Sequence, residues 1–158
     1  MFLFCINLGS LNQSMKTARQ LSITILLFLC CSALYGSYEM IVDPTGNSLG
    51  LPFYLLNGTI LSSYAVVGWI LLITVGIFCP VIILFILLRT GFYSFLIMLE
   101  GVILCIFIFV QMFLLWATFW VQYVFLVTGI ALIILGAIQN QRKIVVEAER
   151  GSGDMKKR

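Results

Sequence analysis

The chain has 158 residues, 62% of them hydrophobic and 9% charged, with a net charge of +3 and a mean hydropathy of +1.14. A soluble domain carries about a quarter of its residues as charges, so this composition excludes a water-facing globule and makes lipid the solvent for most of the chain. The charges are also sorted. Between Gln20 and Gln141 only Glu39, Asp43, Arg89 and Glu100 occur, and the positive balance belongs to the two ends. That pattern bears on membrane orientation and anionic headgroups, not on nucleic acid.

The first fourteen residues, MFLFCINLGSLNQS, are neither a good signal nor a good helix start, and Met15-Lys16-Thr17-Ala18-Arg19 reads as a more natural beginning. A misassigned start is the plain explanation, and no function is assigned to residues 1–14. Residues 1–20 then form an N-terminal cytoplasmic segment. A membrane-spanning helix needs about 20 mostly apolar residues. Four stretches qualify, at about 21–38, 60–88, 92–116 and 119–138. They make up a transmembrane domain over 21–140, followed by a basic cytoplasmic tail over 141–158. The first stretch, preceded by Lys16 and Arg19, also meets part of the signal-peptide pattern, but its near-spanning length favours an anchor. Strict alternation with turns every ten residues is lacking, so a transmembrane β-barrel does not compete. The expected fold is an all-α membrane protein of four transmembrane helices.

Between the first two spans lies IVDPTGNSLGLPFYLLNGT, residues 41–59. Asp43-Pro44-Thr45-Gly46 has β-turn chemistry: proline presets φ at the second position, glycine fits the fourth, and the Asp43 side chain bonds to the following backbone. Gly50 precedes Pro52, which suits the first turn of a short apolar helix at the membrane surface, and Asn57-Gly58 turns the chain into the second span. The connection is expected to be a folded cap on the outer end of the bundle. It either closes the bundle or covers an entrance to it.

In the second span, Ala65, Gly68, Gly76 and Cys79 share a side, and Pro80 is expected to kink the helix. In the third, Tyr93, Glu100 and Gln111 are spaced by seven and eleven residues and return to one face. An acid inside a membrane is a candidate functional residue. Without a basic partner it is expected in its protonated form, as interhelical glue or as a proton- or ligand-coupled site. The turn into the fourth span is tight, with Trp116 and Trp120 at the interface. Gln122, Gly129 and Gly136 then repeat every seven residues and give that helix a close-packing face. The tail extends the fourth helix for a few turns and is expected to fray at Gly151-Ser152-Gly153.

Lys16 and Arg19, Arg89, and Arg142 with Lys143 fall on one side of a four-span topology, while the other side receives only Glu39 and Asp43. The basic side is expected to be cytoplasmic, which places both ends inside and the 41–59 connection outside. The chain has no histidine, which removes the commonest general base and most zinc and haem sites. No catalytic constellation, metal site or cofactor is expected. The five cysteines give no disulfide framework, and those inside the apolar runs read as small hydrophobes.

Asp43-Pro44-Thr45-Gly46, Leu49-Gly50-Leu51-Pro52 and Leu56-Asn57-Gly58-Thr59, with Gln111 and Gln122 in the third and fourth helices, resemble a group of uncharacterised small bacterial four-helix membrane proteins. The resemblance covers about residues 20–140. It implies the topology and a bacterial inner membrane, and it supplies no activity. The candidate intramembrane polar site is Tyr93, Glu100, Gln111 and Gln122, and the outer-loop cap is Asp43, Pro44, Gly46, Gly50, Pro52 and Gly58. The expected function is a structural or accessory bundle whose partners are the bilayer, other membrane proteins or copies of itself. The alternative is a transport or channel component using Glu100, as an oligomer.

Overall fold

The structure, a computed structural model, describes residues 2–49, 63–115 and 120–155. These residues are helical almost throughout, and no strand occurs among them. Helix α1 covers Phe2–Val42, a short 3-10 turn follows at Asn47–Leu49, and α2 covers Tyr64–Leu71. A π-helical segment at Leu72–Ile77 leads into α3, Phe78–Leu87; α4 covers Tyr93–Leu115 and α5 Trp120–Met155. The helices are long and apolar enough to cross a membrane four times, at Lys16–Val42, Tyr64–Leu87, Tyr93–Phe113 and Trp120–Gln141.

Two boundaries depart from the sequence reading. Helix α1 begins at Phe2 and not near residue 21, so residues 2–14 are helical. Helix α5 passes through Gly151, Ser152 and Gly153 to Met155 and does not fray at that triplet. Each glycine in a helix interior costs about 1 kcal/mol relative to alanine, and no described contact explains why the helix continues.

On the N-terminal side of Pro80, where a kink is expected, the second span carries a π segment at Leu72–Ile77. Proline lacks an N–H, so the carbonyl four residues back, that of Gly76, loses its helical donor. The Cys30 thiol of α1 donates to that carbonyl at 3.7 Å. A π-bulge next to a proline is a recognised way of absorbing this mismatch.

The two most extensive contacts in the bundle are α4 with α5 and α1 with the second span, made of α2, the π segment and α3. Both seams are set by glycine. A Cβ on Gly101 would stand 2.6 Å from the Gly129 carbonyl oxygen, and one on Gly136 would stand 2.9 Å from the backbone of Ser94 and Met98. Between α1 and α2, a Cβ on Gly68 would stand 2.9 Å from the Met40 Cβ. Such close approach is how helices gain dispersion contacts in lipid, where no hydrophobic force drives them together. The core between the seams contains Leu26, Leu29, Val75, Cys79, Ile82, Ile86, Ile97, Leu104 and Leu132. Phe28 and Phe125 stack across α1 and α5, with centroids 6.5 Å apart.

The turn from α3 to α4 is a Schellman motif. The Thr90 N–H donates to the Phe85 carbonyl and the Arg89 N–H to the Ile86 carbonyl, both at 3.3 Å. The left-handed position of that motif is held by Arg89, with φ 53°, where glycine is usual. Gln139 of α5 meets Ala18 and Ser22 of α1, and Gly136 meets Ser94 of α4. Arg19, the Arg89 turn and the chain after Gln139 therefore gather at one end of the bundle, the basic end. Glu39 and Asp43 mark the opposite, acidic end.

Candidate functional site

Polar side chains inside the bundle occupy three levels. The middle level is Glu100. Its side chain is fully buried, and the Cys79 thiol of α3 donates to its Oε1 at 3.3 Å. The second carboxyl oxygen, Oε2, is buried without a hydrogen-bond partner. Cys79 and Glu100 each stand ten residues from the Arg89-Thr90 turn, so an antiparallel hairpin brings them to the same depth. That symmetry was available in the sequence, where Cys79 reads only as a small packing residue.

The second level is at the basic end. Gln139 is buried; its Nε2 donates to the Ser22 Oγ at 2.9 Å and to the Ala18 carbonyl at 3.5 Å. Ser22 in turn donates to the Ala18 carbonyl at 3.0 Å. The Gln139 Oε1, the Ser94 Oγ and the Arg19 Nε are buried and lack partners among the described contacts. Sequence reasoning missed Gln139, because the run Ala137-Ile138-Gln139-Asn140-Gln141-Arg142 reads as the polar exit from the membrane. Only the neighbouring hydroxyl on α1 distinguishes it.

The third level is a cavity of about 860 Å³ near the acidic end, between α1 and α2 on one side and α4 and α5 on the other. Gln111 and Gln122 both line it. The expected polar stripe is therefore divided. Gln111 and Gln122 line the same cavity, Glu100 is sealed into the α3–α4 seam outside the cavity lining, and Tyr93 packs beside the apolar core at the basic end of α4. Tyr93, Glu100 and Gln111 share a helix side but not a site.

At the acidic end the Asp43 turn forms as its sequence implies. The Gly46 N–H donates to the Asp43 carbonyl at 3.1 Å, and Gly46 takes φ 79°, a left-handed conformation that favours glycine. The Asp43 carboxylate accepts from the Thr45 hydroxyl, from the Thr45 N–H at 3.1 Å and from the Ser48 N–H at 2.9 Å. The Thr45 hydroxyl first, then the Ser48 backbone, hold this carboxyl below the ordinary carboxylate range. The Pro44 carbonyl accepts from the Tyr64 N–H at 3.2 Å and ties the turn to the start of α2. Gly50, Pro52 and Gly58, the remainder of the expected cap, lie outside the described residues, as does the turn containing Trp116.

Among the described residues no three of His, Cys, Asp and Glu approach closely enough to hold a metal ion, and the described cysteines are free thiols. Comparison with protein-family models, with curated proteins and with solved structures returned no match.

Proposed function

We propose that this chain is a small multi-pass protein of the bacterial inner membrane, with both ends cytoplasmic, that acts as a structural or accessory bundle through membrane-protein partners or further copies of itself. The observation that supports this reading is the enclosure of Glu100. The one acid of the membrane interior is closed into a helix seam against Cys79 and does not line the cavity. A carboxyl in that position can hold α3 to α4 but meets no substrate-sized space. Free surface supports the partner part of the reading. Only 28% of the most apolar stretch of each of the first three spans, and 22% of the fourth, is buried inside the bundle. Of the rest, the exposed residues, among them Ile73, Leu84, Ile106 and Val127, are available to lipid or to other membrane helices.

One observation favours a second reading, a proton-coupled transport component. Glu100 Oε2 is buried without a partner, and acids inside membrane spans mark proton paths in some transporters. Proton flux into liposomes separates the two. The accessory reading expects no flux above protein-free liposomes, and expects Glu100→Gln to co-purify with the same membrane partners as wild type. A pH-driven flux that disappears in Glu100→Gln would replace it with the transport reading.

A further inference from the structure

The cavity at the acidic end has the dimensions of a ligand site: about 860 Å³, against about 300–1,000 Å³ for typical small-molecule pockets. Its floor is formed by Leu29, Val75 and Leu104, each at most 2% exposed. From this floor the walls run to Met40 on α1 and to Tyr64 on α2. At the helical rise, eleven residues span about 16 Å, roughly half of a hydrocarbon core of about 30 Å. The cavity is one leaflet deep.

Polarity changes along that depth. Gln111, Gln122 and Tyr64 lie toward the acidic end, whereas the floor is aliphatic. Thr74, deep in the wall, donates its hydroxyl to the Ile70 carbonyl at 2.7 Å and so presents little polarity to the cavity. No charged side chain is among the described lining residues, and the described charges at that end, Glu39 and Asp43, are both acidic. Ser32 is the other described hydroxyl at that depth, so water filling the lower part would find few of the two to four polar partners it needs.

We infer that this cavity binds one lipid-like amphiphile of the adjacent leaflet, its apolar chain reaching Leu29, Val75 and Leu104 and its uncharged, hydrogen-bonding head lying at Gln111 and Gln122. The orientation is the one a lipid of that leaflet already has, so entry needs no inversion. The amides of Gln111 and Gln122 both donate and accept, which suits ester, hydroxyl or carbonyl groups. An anionic head would meet no counter-charge among the described lining residues, at the end that carries Glu39 and Asp43. The site goes beyond the accessory role, which stands whether or not the cavity is occupied.

The test uses the full chain in nanodiscs and a diacylglycerol probe with a diazirine near the end of one acyl chain. After irradiation, label is expected on Leu29, Ala33, Val75, Leu104 and Ile108, and unlabelled diacylglycerol should displace it. Phosphatidylglycerol with the same chains should compete about tenfold less well, because its unpaired charge is costly to desolvate. Equal competition by phosphatidylglycerol would overturn the uncharged-head assignment. Ser32→Phe and Gly36→Leu add bulk to the cavity wall away from the α4–α5 seam. Each should remove most floor labelling while the thermal transition in detergent stays in place. Label spread evenly over lipid-facing Phe109, Ile134 and Ile73, or unchanged in both variants, would overturn the site. If neither variant folds, the wild-type competition decides, and labelling that excess diacylglycerol does not reduce would overturn it.

Discussion

At the residue scale, Glu100 and Asp43 show how surroundings assign different work to two carboxyls. Glu100 meets only a thiol, a weak donor, with no ion pair formed among the described residues. An ionised carboxylate there would be uncompensated in a medium that strongly penalises charge. Glu100→Gln keeps the shape and an acceptor for Cys79, and is expected to change stability by less than about 1 kcal/mol. Glu100→Lys places a charge at the same depth and should cost about 3 kcal/mol, read as a lower thermal midpoint and lower yield in membranes. An infrared spectrum at pH 7 should show a protonated carboxyl band that disappears in Glu100→Gln. A carboxylate band in its place would require a cation or water beside Glu100. Asp43 is the reverse case, an interfacial carboxylate held by donors. Its folded value lies below the ordinary 3.8, with the Thr45 hydroxyl the leading cause and the Ser48 N–H next. The stabilisation is therefore fully present above the unfolded value and is lost as pH falls through the lower folded one. Amide protection of Thr45 and Ser48, corrected for intrinsic exchange, should hold from neutral pH down to the ordinary carboxylate range and fall only in stronger acid. Asp43→Ala should lose it at every pH.

At the element scale, the bundle depends on where helices approach without side chains. Gly101 has the tightest such position, with its notional Cβ 2.6 Å from the Gly129 carbonyl oxygen. A backbone atom cannot rotate aside, so Gly101→Ala must separate α4 from α5 and is expected to cost about 1–3 kcal/mol. Gly91, in the α3–α4 turn, has nothing within 4 Å of a built Cβ, and Gly91→Ala should stay within about 0.5 kcal/mol of wild type. Thermal unfolding of the two variants in one detergent makes the comparison. Equal midpoints would mean that the α4–α5 seam relaxes freely. The π segment follows the same logic of local cause. Pro80 frees the Gly76 carbonyl, the wider turn absorbs the mismatch, and Cys30 supplies a donor from α1. A defect in one helix thereby becomes a contact with another.

At the scale of the whole molecule, Arg19, the Arg89 turn and the chain after Gln139 gather at one end, with Glu39 and Asp43 at the other. Under the positive-inside rule the basic end is expected to be cytoplasmic. Reporter fusions after residue 50 and after residue 117 are expected to read the outer compartment, and a fusion at the C-terminus the cytoplasm. A cytoplasmic signal at either of the first two positions would refute the orientation. Adding Lys residues beside Asp43 while replacing Arg89 should weaken or invert the preference, because orientation follows basic residues flanking the spans.

The sequence by itself determined what depends on composition and short spacing. Charge scarcity made lipid the solvent, four apolar runs set the spans, and Asp43-Pro44-Thr45-Gly46 carried its own turn. Gly129 and Gly136, seven residues apart, marked the seam face of α5 before any partner was visible. What the tertiary structure decided was which groups meet, Cys79 with Glu100, Gln139 with Ser22 and Cys30 with the Gly76 carbonyl, and that Gln111 and Gln122 line one cavity. The reason lies in the solvent. A helix in water shows its inner face by being apolar on one side only, whereas a helix in lipid is apolar on every side, and exposed Ile73 and Phe109 look like buried Ile82 and Ile108. Only small residues and rare polar groups distinguish the faces of such a helix, and their partners are fixed by packing between distant segments, which no single stretch of sequence contains.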